Sequence, residues 1–179
     1  MRLIPKRIWV KISRVSGAHT RWRSIPDKFY LDNFLKMCSS LIDVKFNPLV
    51  PEFSVSNLSR SRVFYIDVLG FKVEYERPAN KFMYLSFQES QIMIEETNGH
   101  WATGVLEHPY GRGINFQFHV ENVNDLVESL KAKGVPLFRP LNEAWYRGGD
   151  VLYGVSEFLV QDPDGYLLRF AQEIGSKAI

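Results

Sequence analysis

The sequence predicts one α+β domain built from two successive βαβββ modules. Three observations predict it. The same order of strand-like and helix-like runs occurs twice between residues 48 and 174, each helix-like run ends in a glycine leading into a strand (Gly70 and Gly134), and a tight DPDG turn precedes the final strand. With 179 residues and 45% hydrophobic side chains, the chain suffices for one substantial core and falls short of two large domains.

The first module opens with LVPEFSVS, read as a short strand. The run SNLSRSRVFYIDVLGF follows as a helix, with Asn57 or Ser56 to cap its start and Leu58, Val63, Phe64, Ile66 and Val68 to supply one buried stripe. Gly70 suits the left-handed turn after the last helical residue. In the strand FKVEYE, alternation places Phe71, Val73 and Tyr75 on one face and Lys72, Glu74 and Glu76 on the other. FMYLSF and QIMIEE are two more strands around a turn at Gln88 to Ser90, and a polar loop runs from Thr97 to Arg112. The second module repeats the order: strand GINFQFHV, helix ENVNDLVESLKAKG capped by Asn122 or Asn124, a strand near VPLFRP, then VSEFLVQ and GYLLRFAQE around the DPDG turn. Duplication is argued from order and spacing, because the two halves share little identity.

The first 47 residues are expected to be a basic extension, residues 48–174 the domain and 175–179 a tail. Residues 1–36 hold nine basic against two acidic side chains, net +7, while the remainder holds 13 against 18, net −5. A basic, acid-poor segment without sustained helical or alternating period suits a nucleic-acid-binding arm, a targeting peptide or an extension with no folded role; it lacks the apolar core of a secretory signal. Met37 is a candidate alternative start. The single cysteine, Cys38, excludes an internal disulfide framework, and no apolar run approaches the roughly 18 residues of a spanning helix, so a cytoplasmic setting is expected.

Two motifs carry a family resemblance: FYIDVLGF at the helix–strand joint of the first half, and QDPDGYLLRF around the last turn, starting 97 positions later. Over residues 48–174 the chain resembles the glyoxalase, bleomycin-resistance and extradiol-dioxygenase superfamily, the vicinal-oxygen-chelate fold, and most nearly its bleomycin-resistance group. The resemblance implies an open, curved mixed sheet, often completed across a homodimer. Metal-dependent members of the superfamily carry four inward-facing ligands. Matching the motifs sets those positions near Val50 or Pro51, Glu95, Ile114 and Arg169, of which only Glu95 is a metal donor. No metal and no cofactor are therefore expected. His119 falls out of phase with Ile114, and His100 and His108 sit in the long loop.

Resistance proteins of this superfamily sequester bulky cationic glycopeptides in grooves between protomers, which the acidic body and plentiful aromatics suit. The expected function is thus stoichiometric binding of a bleomycin-like cationic or aromatic small molecule by a homodimer, with no membrane or nucleic-acid role. The expected ligand-binding residues are Tyr75, Trp101, Phe116, Phe118, Trp145, Tyr153, Glu95 and Glu157. Trp101, Trp145 and Tyr146 are expected on or beside loops covering the cavity, Glu96 and Glu143 offer further negative charge, and Phe116 and Phe118 suit either a cavity floor or the core. Pro51 suits an edge or hinge, as would serve exchange of the first strand between protomers. Three alternatives stay open: a glyoxalase- or dioxygenase-type metalloenzyme with a relocated site around Glu95, His119 or the loop histidines, a sensor for an unrelated ligand, and nucleic-acid binding through the basic arm.

Overall fold

The computed structural model describes residues 8–12, 21–25 and 44–179. Met37 and Cys38 lie outside them. The described residues fall in two units, the first ending at Val44 and the second running from Lys45 to Ile179. The first contains two antiparallel strands, β1 (Ile8–Ile12) and β2 (Arg21–Ile25), in a stretch where the sequence shows no sustained alternation. Neither IWVKI nor RWRSI alternates strictly between apolar and polar residues, so neither shows a strand period.

The second unit holds two four-stranded sheets of identical topology. Module 1 comprises β3 (Glu52–Val55), α1 (Leu58–Arg62, continuing as a π-helical segment Val63–Val68), β4 (Lys72–Arg77), β5 (Phe82–Phe87) and β6 (Ser90–Glu96), in sheet order β3-β6-β5-β4. Module 2 comprises β7 (Asn115–His119), α2 (Val123–Ala132), β8 (Arg139–Gly148), β9 (Val151–Gln161) and β10 (Leu167–Ala178), in order β7-β10-β9-β8. In each sheet the first strand runs parallel to the last and every other pairing is antiparallel, which is the duplicated βαβββ order.

Three local features depart from the expectations. The Asn57 side chain accepts from the Arg60 amide at 2.9 Å and starts α1, but the helix then widens, and the Leu69 N–H reaches the Phe64 carbonyl five residues back at 3.0 Å. The buried side is Ser61, Phe64, Tyr65 and Leu69, spaced i, i+3, i+4 and i+8, so Val63, expected inside, is exposed on the opposite side. In β4 the pairing slips between Val73 and Tyr75, so Val73 opposes Leu85 while Tyr75 opposes Tyr84. One extra residue reverses the side-chain face, and Tyr75 leaves the side that carries Phe71. Finally, the strand expected near VPLFRP begins at Arg139 and continues through Trp145 and Tyr146, which are strand residues and not loop residues. β8 is solvated on both faces over most of its length, so its sequence carries no strong alternation.

Both sheets turn one face to a single core. Phe53 of β3 lies 4.5 Å from Phe116 of β7, Phe71 meets Phe118 edge-on at 5.6 Å, and Phe87 meets Phe170 edge-on at 6.1 Å. The helices share that core through Phe64, Tyr65, Val123, Leu126 and Leu130. Each fully buried ring, such as Phe158 or Phe170, contributes about 1.5–3 kcal/mol by leaving water. The modules therefore share one core through one face of each sheet, and the other face of each is termed its open face below.

The DPDG turn fastens this seam. Asp164 accepts from the Ser56 amide at 3.0 Å and from the Arg60 guanidinium at 2.9 Å, so the end of module 2 holds the start of α1. Asp162 accepts from the Tyr65 hydroxyl at 2.9 Å and from the amides of Asp164 and Tyr166 at 3.0 and 2.8 Å. Gly165 adopts φ +93°, and a Cβ there would stand 2.4 Å from the Cβ of Pro109, so only glycine fits.

Candidate functional site

The module 1 open face follows from strand alternation. Opposite the core-facing Phe53, Val55, Met83, Leu85, Ile92 and Ile94 stand Glu52, Ser54, Phe82, Tyr84, Met93 and Glu95, joined after the bulge by Tyr75 and Arg77. At one end of this face Glu52, Arg77, Asn80, Glu95, Asn98, His100 and Trp101 line a cavity of about 450 Å³. Glu95 is 8% exposed, and its Oε2 accepts from the Trp101 indole N–H at 3.1 Å. Burial raises the pKa of Glu52, the neighbouring Glu95 charge adds to that, and Arg77 opposes both. The Arg77 guanidinium also covers the Phe82 ring, 3.7 Å from its centroid. Toward the other end Tyr75 stacks on Tyr84, with centroids 5.1 Å apart and planes 17° apart.

The module 2 open face carries a closed polar network. Arg169 donates from Nε to Glu157 at 2.7 Å, its Nη2 also pairs with that carboxylate, and it reaches the Tyr146 oxygen at 3.0 Å. The Tyr146 hydroxyl donates to Glu157 at 2.8 Å, which raises the tyrosine's pKa because Glu157 binds the protonated form. Tyr153 opposes Tyr146 across the β8–β9 pair, and both rings are exposed. On β7 the open face bears Asn115, Gln117 and His119, since Phe118 is buried in the core and Phe116 packs on Phe53. The position expected at Ile114 therefore belongs to Asn115: Ile114 is an exposed residue just before the strand.

Of the expected residues, Tyr75, Glu95 and Trp101 share the module 1 open face, and Tyr153 and Glu157 share that of module 2. Phe116 and Phe118 take the core role, bordering only a cleft of about 430 Å³ between the modules, with Pro51, Gln91 and Asn115. Trp145 stands on the helix-bearing side of β8, over Gly154, with the Lys177 ammonium 3.9 Å from its ring centroid. Glu96 accepts from Lys81 and from the Leu58 amide and belongs to the start of α1. Glu52, Arg77 and Tyr84 were not singled out from the sequence, because their face becomes known only once the partners of β3 and β5 are known.

The donor set does not fit a divalent ion. Glu95 is one carboxylate, Arg169 places a fixed cation on its face, and among the described residues no three His, Cys, Asp or Glu side chains are grouped to hold a metal. His100 packs edge-on against Trp101, away from His119, which neighbours Gln117.

A family model for the Glyoxalase/Bleomycin resistance protein/Dioxygenase superfamily matches residues 46–170. The chain is 27% identical over 129 residues to a lactoylglutathione lyase of Haemophilus influenzae, covering 69% of this chain and 90% of that protein. Among solved structures it is similar to a glyoxalase/bleomycin resistance protein/dioxygenase from Alicyclobacillus acidocaldarius (20% identity, 72% and 93% coverage, TM-score 0.53). It is also similar to TioX from Micromonospora sp. ML1 (18% identity, 72% and 100% coverage, TM-score 0.56). These two structures speak for the fold alone.

Proposed function

The chain belongs to the Glyoxalase/Bleomycin resistance protein/Dioxygenase superfamily, and from that premise we propose that it is a metal-independent protein binding a bulky, cationic, aromatic small molecule of the bleomycin type. The observation that carries this reading is that each sheet around the shared core bears carboxylates and aromatic rings on its open face. Carboxylates and rings (Glu52, Glu95, Tyr75, Trp101) stand on one, and Tyr146, Tyr153, Glu157 and Arg169 on the other. Neither face encloses a ligand by itself. A twofold dimer sets module 1 of one protomer against module 2 of its partner twice over, closing two grooves with carboxylates and aromatic rings on both walls. Stacking and apolar burial supply affinity there, and the acids select a cation.

Stoichiometric capture requires no chemistry from the protein. The residues at the family's metal positions support that: Arg169 is engaged by Glu157 and Tyr146, and Asn115 and Val50 bring no anionic donor. A second reading, a glyoxalase-type lyase, is favoured by the likeness to the H. influenzae lactoylglutathione lyase. Titration of metal-depleted protein with bleomycin by calorimetry, beside light scattering and an assay for turnover of the methylglyoxal–glutathione hemithioacetal with added zinc or nickel, separates the two. Saturable binding near one drug per protomer of a dimer supports capture. Turnover without drug binding replaces it with the lyase.

A further inference from the structure

We propose that Lys45–Asn47 is a self-capping strap, in which Phe46 occupies the place on Tyr84 that a planar ligand ring would take, and that the strap lifts when such a ring binds. The inference rests on the stacking part of the proposed function. Tyr84 stands on the open face of module 1, between Tyr75 and Met93 in the strand register, yet it is only 2% exposed. Two rings bury it: Tyr75 stacked at 5.1 Å, and Phe46, whose ring meets it edge-on at 5.4 Å and an interplanar angle of 81°.

Phe46 is no core residue. It is 60% exposed, so it covers Tyr84 while leaving most of its own apolar surface in water. What holds it there is chiefly one carboxamide. Gln91 Oε1 accepts from the Asn47 amide at 2.7 Å and from the Tyr84 hydroxyl at 2.8 Å, while its Nε2 donates to the Lys45 carbonyl at 2.8 Å. Gln91 thus offers the strap the donor and acceptor that a neighbouring strand would offer, and Asn47 Nδ2 adds a bond to the Glu89 carbonyl at 2.7 Å. An arriving planar ring exchanges one aromatic contact on Tyr84 for another of similar strength, so the strap competes with the ligand without blocking it outright.

The test titrates the full chain and its Gln91→Ala and Phe46→Ala variants with proflavine, a planar cation, by fluorescence, and with bleomycin by calorimetry, after thermal melts confirm that both variants fold. Freed of the strap, both variants bind proflavine about tenfold more tightly than the parent. Failure of either variant to gain affinity, including no proflavine binding by any of the three, overturns the proposal. If the variants gain proflavine affinity and bleomycin binds none of the three, the strap stands and the antibiotic reading falls. If neither variant gains proflavine affinity and bleomycin binds the parent and both variants equally, the strap falls and the antibiotic reading stands.

Discussion

Asp162 and Asp164 at the seam, and Glu52 and Glu95 on the module 1 open face, are two pairs of neighbouring carboxylates handled in opposite ways. The aspartates are buried and receive five hydrogen bonds from Tyr65, Ser56, Arg60, Tyr166 and the Asp164 amide. The glutamates line a cavity and receive one, from Trp101. A carboxylate whose acceptors are filled by the fold holds the fold together. One left with open acceptors on a cavity wall is available to a cation from outside. Burial alone would not have separated them, since Glu95 is nearly as inaccessible as Asp162.

The largest expected effect falls on the seam. Asp162→Ala strands three donors, two of them buried, and is expected to cost about 3–5 kcal/mol in denaturant unfolding. A loss below about 1 kcal/mol would show that the seam does not depend on this side chain. The same residue sets a pH dependence. Burial raises its pKa from 3.8 to about 6 against the pull of its hydrogen bonds, so the folded state holds the proton more tightly than the unfolded chain. Its contribution is fully present below pH 3.8 and fades as pH rises through about 6. The stability gap between the parent and Asp162→Ala should therefore widen by up to about 3 kcal/mol as pH falls from 7.5 to 4. A gap that narrows would mean that the hydrogen-bond donors outweigh burial.

Tyr65→Phe is milder, removing one donor and leaving the ring in place, with about 1–2 kcal/mol expected by the same unfolding measurement. Smallest for the fold is Glu95→Gln, expected to change stability by less than about 1 kcal/mol while weakening bleomycin binding about tenfold in calorimetry. A stability loss as large as that of Asp162→Ala would erase the distinction between the two pairs.

The repeated element order, both helix-ending glycines and the DPDG turn were legible because each rests on local backbone needs: a cap, a left-handed turn, a period. The helix stripe was misread at Val63 because apolar identity was taken for burial, whereas the small polar Ser61 is buried and Val63 is exposed. Tyr75 was assigned the wrong partners because a single-residue bulge reverses every later side chain. Glu95 and Trp101 were picked as members of one site, yet the bond between them joins a strand to a loop and has no signature at that spacing. That Arg169 meets Tyr146 and Glu157 depends on the β8–β9–β10 register, which alternation cannot supply.

The shared core also bears on synthesis. Ser56 and Arg60 await a partner more than 100 residues downstream, and the core face of module 1 is covered by strands ending at Ala178. As the ribosome delivers the chain from its amino end, module 1 emerges with Phe53, Phe71 and Phe87 uncovered until β7 and β10 follow. Such a nascent chain presents an adhesive half-molecule until module 2 follows. Chaperone demand should accordingly be set by how quickly β7 to β10 arrive.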